Sequence, residues 1–84
     1  MSHADLDPDA LDPLYVQLAA ILRGQIERGE LTRRVPSVKS LAQEYECAVG
    51  TAERALAILK DEGLIRTSMG RGSFVVPKDE RPKP

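Results

Sequence analysis

Between residues 14 and 26, apolar side chains recur every three or four positions, which is the period of one face of an α-helix. The members of this stripe are Leu14, Leu18, Ile21, Leu22 and Ile26. Asp12 and Pro13 precede it, with residue types favoured at the N-cap and at the first helical position. Gly29 follows it, as is typical of the residue just beyond a helix. The pattern predicts a first helix that forms the back of the core.

The stretch from Ser37 to Gly63 predicts two further helices joined by a tight turn. Ser37 suits the N-cap of the second helix, whose inward positions are Leu41, Ala42 and Tyr45. The turn consists of residues 46–48. The third helix is predicted over residues 51–62, with an apolar face formed by Ala52, Ala55, Leu56 and Leu59. Two helices at this spacing are typical of a helix-turn-helix.

Two short β-prone runs follow the helices, at residues 64–68 and 73–76. Between them, Met69-Gly70-Arg71-Gly72 supplies the glycines that a tight hairpin needs. The connector at residues 30–35 can add one short strand. We therefore predict a mainly α fold with a small β-hairpin, namely a winged helix-turn-helix of three helices and a two- to three-stranded wing. This order of elements suggests DNA binding.

A chain of 84 residues has room for one small domain, and its 42% hydrophobic content suffices for a globular core. We expect a flexible acidic arm at residues 1–12, the winged helix-turn-helix domain at residues 13–76 and a flexible charged tail at residues 77–84. The arm and the tail are poor in the apolar residues that ordering requires.

The formal net charge is −1, whereas DNA-binding domains are commonly basic. Four of the 13 acidic residues lie in the predicted arm, namely Asp5, Asp7, Asp9 and Asp12. Without them, residues 13–84 carry nine acidic and twelve basic side chains, a formal net charge of +3. This distribution permits phosphate binding by the domain.

Several classes of function find no support in the sequence. No apolar run approaches the roughly 20 residues of a membrane-spanning helix, no signal peptide precedes the domain, and the lone Cys47 allows neither an internal disulfide nor a metal-site spacing. We therefore expect a cytoplasmic, nucleoid-associated protein without membrane contact. The only histidine is His3, and no nucleophile–base pair or carboxylate cluster is evident. We expect no enzyme activity, no catalytic residue, no metal and no cofactor.

Five segments together resemble the N-terminal DNA-binding domain of GntR-family transcriptional regulators. They are PLYVQLAAILRGQIERGEL, VPSVKSLAQEY, TAERAL, LKDEGLI and GRGSFV, which lie within residues 13–76. The resemblance implies a winged helix-turn-helix that places its third helix in the major groove and its wing against the flanking backbone. The family normally adds a larger C-terminal domain that binds an effector and dimerises. Because these 84 residues contain no such region, we expect no small-molecule effector domain.

The sequence departs from the family pattern at positions that would contact DNA. Lys39 stands where the family usually has arginine, and lysine lacks the bidentate fork of a guanidinium. Val49 and Glu53 stand where arginines usually lie just before the third helix and one turn into it. Glu53 would repel phosphate, although glutamate can accept a hydrogen bond from cytosine N4. These departures predict weaker binding, a changed recognition sequence, or both.

The candidate DNA contacts lie on the wing and on the two helices of the motif. Arg71 can reach a phosphate or the minor groove from the wing tip, where its neighbours are Gly70, Gly72 and Ser73. The helix candidates are Lys39, Val49, Gly50, Thr51 and Arg54. Each has a structural alternative: for example, Thr51 can simply cap the third helix, and Gly50 can serve the turn. Auxiliary phosphate candidates are Arg33, Arg34 and Arg66.

Two hypotheses follow from these features. The first is a sequence-specific transcriptional regulator, a repressor that binds double-stranded DNA as a homodimer, since helix-turn-helix operators are commonly palindromic. The second is a protein-interaction module on the same scaffold, which modulates another regulator with weak or no DNA binding. The loss of two family arginines and the acidic arm motivate the second hypothesis.

Overall fold

The computed structural model describes residues 6–81, so that parts of the predicted arm and tail, residues 1–5 and 82–84, lie outside the described residues. The elements in chain order are α1 (Leu14–Glu27), α2 (Val38–Glu44), α3 (Val49–Asp61), β1 (Ile65–Ser68), β2 (Gly72–Val75) and a short 3-10 helix (Lys78–Glu80). Three helices followed by an antiparallel hairpin confirm the predicted winged helix-turn-helix. Within the described residues, no helix combines the length and the apolar character needed to cross a bilayer.

The hydrophobic core lies where α3 packs against α1 and α2. Its largest fully buried side chains are Leu18, Leu22, Leu41 and Leu59. Ala52 and Ala55 of α3 are 0% exposed, and such small side chains let helices approach closely. Leu56, predicted to point inward, is only half-buried because it faces a groove between α3 and the hairpin.

Of the two N-caps predicted for α1 and α2, that of α2 is confirmed and that of α1 is wrong by one residue. The Ser37 hydroxyl accepts a bond from the Ser40 N–H at 3.1 Å, which confirms Ser37 as the N-cap of α2. Pro13, not Asp12, is the N-cap of α1, since its carbonyl accepts from the N–H groups of residues 16 and 17. The Asp12 carbonyl instead accepts from the Gln17 side chain at 2.8 Å.

Helix α3 begins two residues earlier than predicted. The Ala48 carbonyl accepts from the N–H groups of Thr51 and Ala52 at 3.0 and 3.2 Å, which makes Ala48 the N-cap. Val49 and Gly50 therefore belong to the first turn of α3 rather than to the loop before it. This shift changes how the candidate contact residues are presented.

The end of α3 directs the chain into the hairpin. The Gly63 N–H donates to the Lys60 carbonyl and the Leu64 N–H to the Leu59 carbonyl, both at 3.0 Å, which is the Schellman pattern. Gly63 has φ of 77°, a conformation that glycine adopts without strain. The same pair of bonds at Gly29 and Glu30 ends α1, which confirms Gly29 as the residue after the helix.

The wing contains two strands and one further bridge. Strands β1 and β2 pair from Ile65↔Val75 to Ser68↔Gly72, which leaves residues 69–71 as the tip. The connector before α2 adds an antiparallel bridge, Arg34↔Phe74, at the free edge of β2. The short strand predicted in the connector is therefore present as a single bridge. The Val76 N–H also donates to the Leu64 carbonyl at 2.9 Å, which ties the wing to the end of α3.

The Gln17 side chain ties the described part of the segment ahead of α1 to that helix. Gln17 accepts from the Asp7 N–H at 2.7 Å and donates to the Asp7 carbonyl at 2.8 Å, in addition to its bond to Asp12. Leu6 packs against the edge of the core. The domain limits and the flexibility of residues 1–12 and 77–84 stay predictions.

Glu46, in the turn between α2 and α3, has φ of 53°, a left-handed conformation that costs a non-glycine residue about 1–2 kcal/mol. Because glycine forfeits about 0.5–1 kcal/mol of chain entropy, Glu46→Gly should stabilise the fold by up to about 1 kcal/mol in urea unfolding. Glu53→Gly removes the same side chain from a helix and should cost about 1 kcal/mol. Equal destabilisation by the two variants would contradict the assignment of strain to Glu46.

Candidate nucleic-acid interface

A groove of about 350 Å³ separates α3 from the hairpin, and we call it the helix–wing groove. It is lined by Val38, Glu53, Leu56, Ala57, Lys60, Ile65, Thr67 and Ser73. The start of α2, the outward side of α3 and one face of the wing therefore border the same space. Of the predicted contact residues, only Ser73 lines the groove itself.

The first turn of α3 is open to solvent. Val49 is 49% exposed, and a methyl group at Gly50 would meet no atom within 4 Å. No side chain caps this helix start, and the first N–H groups of a helix lack intrahelical partners. Thr51 is the third residue of α3, so the alternative that it caps the helix is wrong. The turn presents amides and a small surface to an approaching anion.

Lys39 is the second residue of α2 and is exposed. It follows Val38 directly, and Val38 lines the helix–wing groove. The Ser37 hydroxyl satisfies the Ser40 N–H group at this helix start, and the exposed lysine adds a positive charge beside it. Its ammonium would act there as a flexible point charge.

Arg54 is engaged by α1. Its guanidinium carbon lies 4.6 Å from the centroid of the Tyr15 ring, within the range of a cation–π interaction. Glu53, its neighbour in sequence, lines the helix–wing groove, whereas Arg54 does not. Successive helical residues point about 100° apart. Arg54 is thus exposed on the α1 side of α3, at the edge of the candidate interface.

Glu53 and Lys60 share the groove side of α3. They are seven residues apart, which places them two turns apart on one helix face. Glu53 is identifiable from the sequence by its departure from the family pattern, whereas Lys60 was not among the predicted contact residues. The two-turn spacing was the available signal. An anion in the groove would meet opposite charges at the two positions.

The wing tip presents Arg71 on a constrained turn. The Arg71 N–H donates to the Ser68 carbonyl at 3.0 Å, and the Arg71 side chain is exposed together with Gly70 and Gly72. Ser73 is half-buried, with its hydroxyl 3.4 Å from that of Thr67 on the groove side. Met69, predicted in the turn but not as a contact residue, is 98% exposed. Its position beside the tip glycines was the only sequence signal.

Two arginines are neutralised away from the groove. Arg23 contacts Glu62 through two bonds of 2.8 and 2.7 Å, and this hydrogen bonding raises the pKa of Arg23. Arg28 contacts Glu30 at 2.8 Å, which raises the pKa of Arg28 and lowers the pKa of Glu30. The first pair offsets an acidic residue at the negative end of the α3 dipole. Neither pair contributes free positive charge to the candidate interface.

Two further kinds of chemistry concern the described part of the chain, namely thiol reactivity at Cys47 and metal binding. Burial raises the pKa of the Cys47 thiol, which favours the protonated, unreactive form. Among residues 6–81, no three side chains of His, Cys, Asp or Glu are grouped so as to hold a metal ion.

The family described as bacterial regulatory proteins, gntR family, matches residues 14–75. The chain is similar to the HTH-type transcriptional repressor NagR of Bacillus subtilis (strain 168), with 38% identity over 72 residues, which is 82% of this chain and 30% of NagR. The chain spans about 30% of the length of the first curated relatives that it matches.

Solved structures share the fold. YtrA from Sulfolobus acidocaldarius, a GntR-family transcription factor, superposes with a TM-score of 0.82 at 29% identity, over 92% of this chain and 83% of YtrA. The AraR DNA-binding domain, solved in complex with operator ORX1, gives a TM-score of 0.80 at 23% identity, over 90% of this chain and 99% of that domain. The second likeness concerns the fold alone.

Glu53 places a carboxylate in a groove that also holds Lys60, and we expect Glu53→Gln to strengthen binding to random-sequence duplex DNA. One unscreened unit charge near a phosphate is worth about 1 kcal/mol in water, so the expected gain is roughly threefold to tenfold at low salt. Glu27→Gln, an equal charge change on the far end of α1, is the control. Weaker binding by Glu53→Gln in fluorescence anisotropy would instead indicate that the carboxylate makes a favourable contact.

Proposed function

The chain belongs to the GntR family of bacterial regulatory proteins, and from this premise we propose that it is the sequence-specific, double-stranded DNA-binding part of a transcriptional regulator. The observation that carries the proposal is the helix–wing groove, which lies between α3, a helix with an exposed first turn, and a wing with Arg71 at its tip. NagR, its relative, is a transcriptional repressor. We propose the same role here, by occupation of an operator.

The dimensions of the elements support this mode of binding. An α-helix with its side chains is about 10–12 Å wide, and the major groove of B-DNA is about 12 Å wide. With α3 in the major groove, the phosphate backbone beside it would cross the helix–wing groove, and the wing tip would meet the adjacent minor groove. Lys60, Thr67 and Ser73 would then face that backbone.

The predicted contact residues take distinct roles in this proposal. Lys39 holds a phosphate from the start of α2, and Arg71 holds one from the wing tip. At the tip, Gly70, Gly72 and Ser73 let the protein backbone come close to the DNA. Gly50 and Thr51 offer amide and hydroxyl groups, and the exposed Val49 contacts a thymine methyl. Arg54, held by Tyr15, contacts the backbone at the edge of the interface.

Further properties of the protein follow as proposals from the same reasoning. The binding unit is the domain at residues 13–76, acting as a homodimer on a palindromic site. Its place is the cytoplasm, at the nucleoid. The curated relatives are transcriptional regulators rather than enzymes, and we propose no catalytic activity for this chain. A protein-interaction role without DNA binding is less favoured, because the alignments with the relatives named as repressors extend over most of this chain's length.

A double variant, Lys39→Ala with Arg71→Ala, tests the proposal on DNA from the protein's own promoter region. Each lost phosphate contact should reduce the magnitude of the negative slope of log K against log salt by about 1. The affinity at low salt should fall by at least about tenfold. Gel retardation and anisotropy measure both quantities.

The matched control is Arg28→Ala with Lys78→Ala, which removes two exposed positive charges that do not line the helix–wing groove. Thermal unfolding of both double variants checks that the fold is retained. An equal loss in the two double variants would mean that net charge alone drives binding. Absence of any DNA retardation by the unmodified protein at low salt would overturn the proposed function.

A further inference from the structure

One face of the wing carries two arginines on either side of a phenylalanine. Phe74 of β2 pairs with Arg66 of β1 on one side and bridges to Arg34 of the connector on the other. Directly opposed residues of antiparallel strands point to the same face of a sheet. Arg34, Phe74 and Arg66 therefore form one row, which we call the outer wing row. Thr67 and Ser73 alternate with it and line the helix–wing groove on the opposite face.

Arg34 is held in this row by backbone and side-chain contacts. Backbone hydrogen bonds of both its neighbours to β2, at 2.6 and 2.9 Å, fix the connector against the wing. A Cβ at Gly72 would lie 3.5 Å from Arg34 Nη2 and 3.7 Å from Nε, so the guanidinium extends over the space that this glycine leaves open. The arginine thus lies along the wing, towards its tip.

Within the described residues, the outer wing row is a basic surface whose arginines make no ion pair. Arg34 and Arg66 are both exposed, and neither takes part in an ion pair within residues 6–81. A hollow of about 270 Å³ beside the row is lined by Arg66, Ser68, Phe74, Val75, Val76 and Pro77, with no carboxylate among these lining residues. Neighbouring strands are about 4.8 Å apart, so the arginine Cα atoms lie about 10 Å apart across β2.

We propose that the outer wing row is a second phosphate-binding surface, which contacts the far strand of the minor groove that receives the wing tip. The inference rests on the proposed function and adds a contact to it. A wing that enters a minor groove has one phosphate backbone on each side, because that groove is only about 6 Å wide. The strand next to α3 faces Thr67 and Ser73. The opposite strand faces Arg34 and Arg66, whose charge is complementary to it.

The test compares a double variant, in which Arg34→Ala and Arg66→Ala are combined, with a control variant that removes equal charge. Arg28 and Lys78 are exposed and line neither the helix–wing groove nor the hollow beside the row, so Arg28→Ala with Lys78→Ala is the matched control. The probe is a duplex recovered by the unmodified protein from a random pool, extended by one helical turn (about 10 base pairs) on each side. Anisotropy is measured over a series of KCl concentrations.

We expect the Arg34/Arg66 variant to have a negative slope of log K against log salt that is smaller in magnitude by about 2. Its binding at low salt should be weaker by at least about tenfold. The Arg34→Lys, Arg66→Lys variant should keep the slope of the unmodified protein, since it keeps both charges. The Arg28/Lys78 control should change the slope by less than half as much.

Two outcomes would overturn the inference while leaving the proposed function intact: an unchanged slope for the Arg34/Arg66 variant, or an equal loss in the Arg28/Lys78 control. If the unmodified protein recovers no duplex from the pool, the proposed function fails and the inference fails with it. Unfolding curves for each variant establish that a lost contact, rather than a lost fold, is measured.

Discussion

The burial of the inner face of α3 is the constraint on which the rest of the structure depends. Ala52, Ala55 and Leu59 are 0% exposed against α1 and α2, and two of the three are alanines. Side chains this small leave little room for the helix to rotate about its axis without opening voids, which close-packed interiors do not tolerate. The orientation of α3 is thereby set, with Gly50, Glu53 and Lys60 on exposed positions.

The wing depends on the same packing. A two-stranded hairpin is marginally stable on its own, and this one gains support from the body of the domain. Ile65 and Val75 are buried against the core, and the connector bridges to Phe74 at the other edge of β2. The tip with Arg71 therefore extends from a supported base. This support lets a small domain present a helix and a wing in one fixed arrangement.

Local signals predicted much of the fold: the apolar period of α1, the Ser37 cap, and the glycines that end α1 and α3 all correspond to observed features. The start of α3 was not predictable in this way, because Ala48 caps with its backbone and offers no side-chain signal. The contact residues were named from a family resemblance, and their roles stay predictions. Two tertiary contacts could not be predicted from the sequence. Neither the stacking of Arg54 on Tyr15 nor the bridge at Arg34 produces a local sequence pattern.

We propose that one surface, formed by the start of α3 and the wing tip, meets DNA. Titration of isotope-labelled protein with a duplex recovered from a random pool, followed through amide NMR shifts, tests it most directly. We expect the largest shifts at residues 49–51 and 70–73, with residues 27–29 at the far end of α1 unmoved. Largest shifts at the far end of α1, or no shifts at any amide under low salt, would contradict this contact surface.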